Sequence, residues 1–315
     1  IGYGQEPSAP AAAVQWATTG VQRTVTGTVK TLPAKVQKAG LGAPAVVVIG
    51  DVVKERESLN WFEQLPLFGK RIVVTRTRAQ AGELSARLRR LGAEVLEMPV
   101  IRIAPPSNRR EFAESVVHAH TYDWLVFSSP NGVERFFQAF FAVYRDIRSI
   151  GGARIAAIGP GTEAKLREYG LAVDIMPKKF VAEGLVKAFR DAREEIGSIE
   201  HSTFLWVRGE EARRGSYDGL NALGAIVDEW IAYKTEAETE DAAGAQAAFR
   251  EHGADIVTFT SSSTAENFFK LGLPWPEGCR AASIGPVTTA TLKKLGHAPS
   301  ITAKTHDING LVEAI

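Results

Sequence analysis

The sequence predicts an α/β protein built from two flavodoxin-like parallel-sheet domains, and three observations carry that expectation. Short apolar, β-branched runs alternate with amphipathic helical stretches along most of the chain, and such a series gives parallel sheets covered by helices on both faces. The series occurs twice, so an internal duplication organises the chain. At 315 residues the chain is too long for one ordinary core and suits domains of about 150 residues each.

The first copy opens with Arg71-Ile72-Val73-Val74-Thr75-Arg76 and the second with Thr203-Phe204-Leu205-Trp206-Val207-Arg208. Fifteen residues after each closing arginine comes Leu-Gly-Ala, beginning at Leu91 and at Leu223. Asp123-Trp124-Leu125-Val126-Phe127-Ser128-Ser129 is then answered by Asp255-Ile256-Val257-Thr258-Phe259-Thr260-Ser261, and all these pairs stand 132 positions apart. Further on, the offset drops to 126: Ile158-Gly159-Pro160-Gly161-Thr162 matches Ile284-Gly285-Pro286-Val287-Thr288. The copies span 69–197 and 202–315.

In the first copy, strands are expected near 71–75, 94–98, 124–127, 154–158 and 173–175. A helix over 79–91 places Leu84, Leu88 and Leu91 on one face. Gly92, Gly170, Gly224 and Gly296 mark helix C-termini. The pattern does not say whether the first two strands of a copy pair with their own copy or with the other.

Composition excludes several classes. A net charge of +1 gives no bulk attraction to nucleic acid or membrane. The single cysteine, Cys279, rules out a disulfide framework and fits a reducing compartment. No apolar stretch approaches a membrane span, and the N-terminus lacks the basic start and apolar run of a signal peptide, so a cytoplasmic protein is expected. Because the chain starts at Ile rather than Met, it reads as a piece of a longer product. No G-x-S-x-G elbow, P-loop, H-E-x-x-H or strand-following G-x-G-x-x-G is present, and the six histidines lie scattered. Neither a metal site nor a cofactor is expected.

Ligands of open parallel sheets meet the carboxyl ends of strands and the helix starts that follow. Four such turns are rich in hydroxyls and glycine: Ser128-Ser129-Pro130-Asn131-Gly132, Gly159-Pro160-Gly161-Thr162, Thr260-Ser261-Ser262-Ser263 and Gly285-Pro286-Val287-Thr288. Taken singly, each hydroxyl reads equally as a helix cap. Together the turns suit an anion with several acidic groups, gripped between the halves and bound by free backbone N–H groups. Tyr233, after the second strand of the second copy, is a candidate acid; its counterpart in the first copy is Ile101.

These residues resemble the uroporphyrinogen-III synthase family from about position 67 to the end. The resemblance rests on the strand at Lys70 to Arg76, on Phe127-Ser128-Ser129-Pro130-Asn131-Gly132-Val133, on the two Ile-Gly-Pro-x-Thr turns, and on Ala232-Tyr233-Lys234-Thr235 and Phe259-Thr260-Ser261-Ser262-Ser263. It implies two α/β domains joined by a pair of linker strands. One domain would combine 69–102 with 237–315, the other would comprise 103–236, and the cleft would lie beside Tyr233.

The resemblance also implies a lyase of tetrapyrrole, haem and sirohaem biosynthesis that cyclises hydroxymethylbilane, a linear tetrapyrrole with eight carboxylates. The last ring inverts and water is lost. Tyr233 would act on the leaving hydroxyl as an acid, or only orient the substrate. Ser128, Ser129, Thr162, Arg208, Ser261, Ser263 and Thr288 would bind its carboxylates, with Arg76 as a further contact. A monomer is expected. The reading from another class is a two-lobed, non-catalytic binding protein or regulator for an acidic metabolite, which explains the anion turns equally well.

The preceding stretch resembles the tail of the uroporphyrinogen-III C-methyltransferase family. It carries Val14-Gln15-Trp16-Ala17-Thr18-Thr19-Gly20-Val21-Gln22-Arg23, Pro44-Ala45-Val46-Val47-Val48-Ile49-Gly50-Asp51-Val52-Val53 and Asn60-Trp61-Phe62. Residues 1–65 would thus be a truncated α/β segment with an unmatched sheet edge, fused to or touching a methyltransferase domain. The glycine-rich half that begins that family's cofactor site is missing, so no methylation by this chain is expected.

Overall fold

The computed structural model describes residue 4 and residues 6–108, 116–180, 182–211 and 215–315. It divides into two compact units, Ile1–Ile101 with Glu238–Ile315, and Arg102–Ala237.

The chain begins in the first unit with strands β1 (Pro10–Gln15) and β2 (Arg23–Thr28), helix α1 (Leu32–Ala39), strand β3 (Ala45–Ile49) and the single turn α2 (Arg56–Leu59). The three strands form an antiparallel sheet in the order β2-β1-β3. Leu32 of α1 packs on Ala11 and Ala13 of β1. The carboxylate of Glu63 ties this sheet to the segment after it. Burial acts to raise its pKa, but hydrogen bonds from Arg56, Gln22, Thr24 and Asn60 hold it at about 2.

Next come β4 (Arg71–Val74), α3 (Arg78–Arg90) and β5 (Glu94–Glu97). The chain then builds the second unit from β6 (Ile101–Ala104), β7 (Trp124–Phe127), α4 (Pro130–Val143), β8 (Arg154–Ala157), α5 (Pro160–Glu168), α6 (Ala182–Asp191), α7 (Arg193–Ile196), β9 (Thr203–Gly209), α8 (Gly215–Asn221) and β10 (Ile226–Ala237). It returns to the first unit for α9 (Ala245–His252), β11 (Ile256–Phe259), α10 (Ser262–Lys270), β12 (Arg280–Ser283), α11 (Pro286–Lys294), β13 (Ile301–Thr302) and α12 (Ile308–Ala314).

The large sheets answer the pairing question that the pattern leaves open: the copies exchange strands. In the first unit the order is β5-β4-β11-β12-β13, all parallel, so the opening strands of copy one pair with the closing strands of copy two. In the second unit the order is β6-β10-β9-β7-β8, with β10, β9, β7 and β8 parallel, and Ile175 adds a single bridge to Ala156. Counted within a repeat, both sheets follow the flavodoxin-like order 2-1-3-4-5. β6 is one linking strand and the end of β10 the other, and Arg102 bonds Glu236 between them at 2.9 Å.

Side chains of the central strands alternate between two cores. Leu125 and Phe127 of β7 join Phe136, Phe137 and Phe140 of α4 with Trp230, while Trp124 and Val126 face Phe189, Phe204 and Trp206. In the first unit Ile72 and Val74 enter one core, and Val73 the other with Val257 and Phe259. Near-continuous apolar strands therefore mark sheets covered on both faces.

Candidate active site

All four turns lie where a strand hands over to a helix: β7 to α4, β8 to α5, β11 to α10 and β12 to α11. Helix starts at the carboxyl edge of a parallel sheet present free N–H groups and positive partial charge.

The most developed constellation surrounds Tyr233. β10 slips register between Ile231 and Tyr233, which places Tyr233 opposite Gly209 of β9. Its ring packs against the aromatic core of the second unit. Its hydroxyl lies 2.9 Å from Ser129 Oγ. Ser129 is the N-cap of α4, and its Oγ accepts the Gly132 N–H at 3.1 Å. A Cβ at Gly209 would stand 2.9 Å from Cζ of the tyrosine and 3.1 Å from its hydroxyl oxygen. Only glycine leaves room for the ring.

Burial pushes the Tyr233 hydroxyl above the ordinary tyrosine range. Hydrogen bonds with Ser129 and Asn131 pull it down, and the charge of Glu211 adds to the rise. The phenol is therefore protonated at neutral pH and can donate.

The other expected residues sort by where their polar atoms go. Ser261 caps α10, accepting the Thr264 N–H at 3.2 Å, and its Oγ lies 2.9 Å from Ser263 Oγ. Both serines are part-buried, at a helix start. The Ser128 hydroxyl donates to the Val207 carbonyl at 3.1 Å, which anchors the turn to β9. Thr162 is 2 % exposed and donates to the Ile158 carbonyl at 3.0 Å. Thr288, at the same position of α11, is 3 % exposed.

The Thr162 hydroxyl is thus committed to its own turn, and turns packed this closely offer a ligand their backbone N–H groups.

Arg208 needs a larger correction. At 4 % exposure, it donates to the carbonyls of Gly209 and Glu210 at 2.9 and 3.0 Å, pairs with Glu229 at 3.2 Å and lies over the Trp206 ring. A guanidinium committed in this way braces the end of β9. Its repeat partner Arg76 is only partly buried and donates to Gln80 at 3.2 Å. Desolvation lowers its pKa, opposed by the charge of Glu83.

Two contributors escape a search for hydroxyls and charges: Gly209, which admits the tyrosine ring, and Asn131, which bonds its hydroxyl. The signal was in the repeat. Gly209 replaces Thr77, and Tyr233 replaces Ile101. Among the described residues, no group of three or more His, Cys, Asp or Glu could hold a metal ion, and no helix is long and apolar enough to cross a membrane.

Comparison with known proteins adds an independent line. A family model described as Uroporphyrinogen-III synthase HemD matches residues 82–313. The uroporphyrinogen-III synthase of Synechococcus elongatus is 33 % identical over 259 residues, covering 79 % of this chain and 96 % of that protein. The porphyrin biosynthesis protein HemD of Ruminiclostridium josui is 30 % identical over 298 residues, 93 % of this chain; the chain spans only 58 % of that relative. The N-terminal stretch matches siroheme synthase of Chromobacterium violaceum, 44 % identical over 64 residues, or 20 % of this chain and 14 % of that one. A crystal structure of a mutant uroporphyrinogen III synthase from Thermus thermophilus aligns with a TM-score of 0.53 at 16 % identity, over 78 % of this chain and 96 % of that one. It shares the two-domain α/β architecture.

Proposed function

Because the chain belongs to the uroporphyrinogen-III synthase HemD family of ring-closing lyases, we propose that it cyclises hydroxymethylbilane to uroporphyrinogen III, inverting the last ring and releasing water. The observation that carries this reading is the partly buried Tyr233 hydroxyl, 2.9 Å from the cap serine of α4 at the carboxyl edge of a sheet.

Tyr233 donates its proton to the terminal hydroxyl of the bilane. The C–O bond breaks, its electron pair leaves with the oxygen as water, and the substituted α-carbon of the last pyrrole attacks the resulting cation. The bond from that carbon to its original methylene bridge then breaks, the methylene cation so released is attacked by the free α-carbon of the same ring, and the proton lost from that carbon returns to the Tyr233 phenolate. Acid assistance of this kind contributes about 10²–10⁴-fold. Within the second unit, bilane carboxylates bind the N–H groups that open α4 and α5, with the hydroxyl of Ser129 alongside; the first unit offers carboxylates the starts of α10 and α11, the hydroxyls of Ser261 and Ser263 and the charge of Arg76. Binding energy from these remote groups holds the chain in the geometry needed for inversion. The chain works as a monomer, in the cytoplasm, a reducing compartment that its single cysteine suits.

Incubation with fresh hydroxymethylbilane, followed by separation of the porphyrin isomers, tests the proposal. Type III product is expected. Product of type I alone, the unassisted closure, would overturn the activity and favour a binding protein for acidic metabolites.

A further inference from the structure

The first unit has one strand end at its carboxyl edge that the four turns do not cover. Its sheet order, β5-β4-β11-β12-β13, reverses direction between β4 and β11, and open α/β sheets bind ligands outside the carboxyl ends of the strands at such a reversal. There β11 leads into the cap serine Ser261, and β4 leads into Thr77, the N-cap of α3. Three residues past the pairing of Val74 with Thr258, Thr77 comes level with Ser261. Gly209 and Ser129 stand in the same relation in the second unit, where the Tyr233 ring fills the place. In the first unit the tyrosine's counterpart is Ile101, which has no polar side-chain atom.

Two polar groups at this point are short of partners. Thr77 is 6 % exposed, makes no cap bond to α3, and buries its hydroxyl oxygen with no hydrogen bond. Folded proteins leave few such groups unsatisfied, because each is destabilising. Beside it, the partly buried Arg76 guanidinium meets a single acceptor among the described residues, the Gln80 amide oxygen. Desolvation works against its charge more strongly than Glu83 supports it. The matching Arg208 instead spends its donors on two carbonyls and on Glu229.

One kind of group answers both needs. A carboxylate accepts from a hydroxyl and from a guanidinium at once, and the N–H groups of a helix start favour the same charge. We propose that the start of α3 is a fifth carboxylate-binding turn, at which the Thr77 hydroxyl and the Arg76 guanidinium take one acidic side arm of the bilane, beside Ser261 and Ser263. The inference rests on the ring-closing reading and adds a contact to it.

Isomer separation with the parent protein tests that reading by itself. Thr77→Val, which keeps the side-chain shape and removes the hydroxyl, should raise the Michaelis constant for hydroxymethylbilane about tenfold and leave kcat within about twofold. It should weaken binding of uroporphyrin III, a fluorescent polycarboxylate, by a similar factor. Its melting temperature should be no lower than the parent's, because the lost hydroxyl had no partner in the free protein. Thr77→Ser, which keeps the hydroxyl, should return both constants to near the parent values. Unchanged constants in the valine variant would overturn the proposal, and so would a serine variant as weak as the valine one. Type I product alone from the parent would end the ring-closing reading, and the porphyrin titration would still decide the Thr77 contact.

Discussion

The start of α4 in the second unit and the start of α10 in the first occupy matching positions in the two sequence series, yet they spend their hydroxyls differently. Ser129 and Ser261 both cap a helix, accepting an N–H three residues on. At α4 the cap oxygen also meets the Tyr233 hydroxyl, and Asn131 bonds the same phenol. At α10 the cap oxygen meets Ser263, the repeat partner of Asn131. One cap oxygen reaches a phenol on β10, while the other stays within its own turn. The two turns match in position, and the differences at Thr77/Gly209 and Ile101/Tyr233 give the proposed acid to one of them alone.

The largest effect should come from removing the phenol. Tyr233→Phe is expected to lower the rate of type III formation by about 100-fold, with a small change in melting temperature, in a single-turnover assay. An unchanged rate would leave the two turns equivalent and end the acid role.

Next is the close approach. Gly209→Ala should cost about 1–3 kcal/mol through overpacking against the tyrosine ring and reduce turnover with it. Thr77→Ala, at the matching position, should lie within about 0.5 kcal/mol of the parent: the Thr77 hydroxyl is buried without a partner and makes no cap bond to α3. Equal costs in urea melts would show that the two strand ends are not differentiated.

A cap deletion sharpens the contrast further. Ser129→Ala and Ser261→Ala should each lose about 1 kcal/mol of stability. Only Ser129→Ala should change the pH profile. The Ser129 hydrogen bond lowers the Tyr233 pKa, so its loss raises that value and moves the alkaline limb of kcat to higher pH. A shift to lower pH, or none, would separate Tyr233 from the proton transfer.

The smallest effect concerns Thr288→Ala. With the residue only 3 % exposed, the Michaelis constant should stay within about twofold, and the change should appear as about 1 kcal/mol of stability through the lost packing of its methyl group. A large rise in the constant would return Thr288 to direct contact.

Much of the fold was legible because duplication repeats its own evidence. Two matching strand-and-turn series fixed the strands near 71, 94, 124 and 154 and the helix ends at Gly92, Gly170, Gly224 and Gly296, all of which take positive φ. The exchange of strands was not legible: β4 beside β11 and β9 beside β7 bury the same residue types as pairing within a copy would.

The site divides in the same way. The turns can be read from hydroxyls and glycines at strand ends, but hydroxyl direction cannot, because Thr162 and Thr288 have the composition of surface caps and the environment of core residues. The fate of Arg208 depended on Glu229, which sits beside Trp206, two residues along the strand from the arginine, only once β9 and β10 are paired. The tyrosine's partner glycine was visible in principle, as a large residue gained opposite a side chain lost.

The crossing of the chain also constrains how the molecule can be made. A nascent polypeptide emerging from the ribosome would hold β4 and β5 for well over a hundred residues before β11, β12 and β13 exist to flank them. The second sheet, whose strands are contiguous in sequence, can close first, so synthesis order favours the inner unit and leaves the outer one waiting. Cutting the gene between its two copies would separate no finished half, only two sets of orphaned strands.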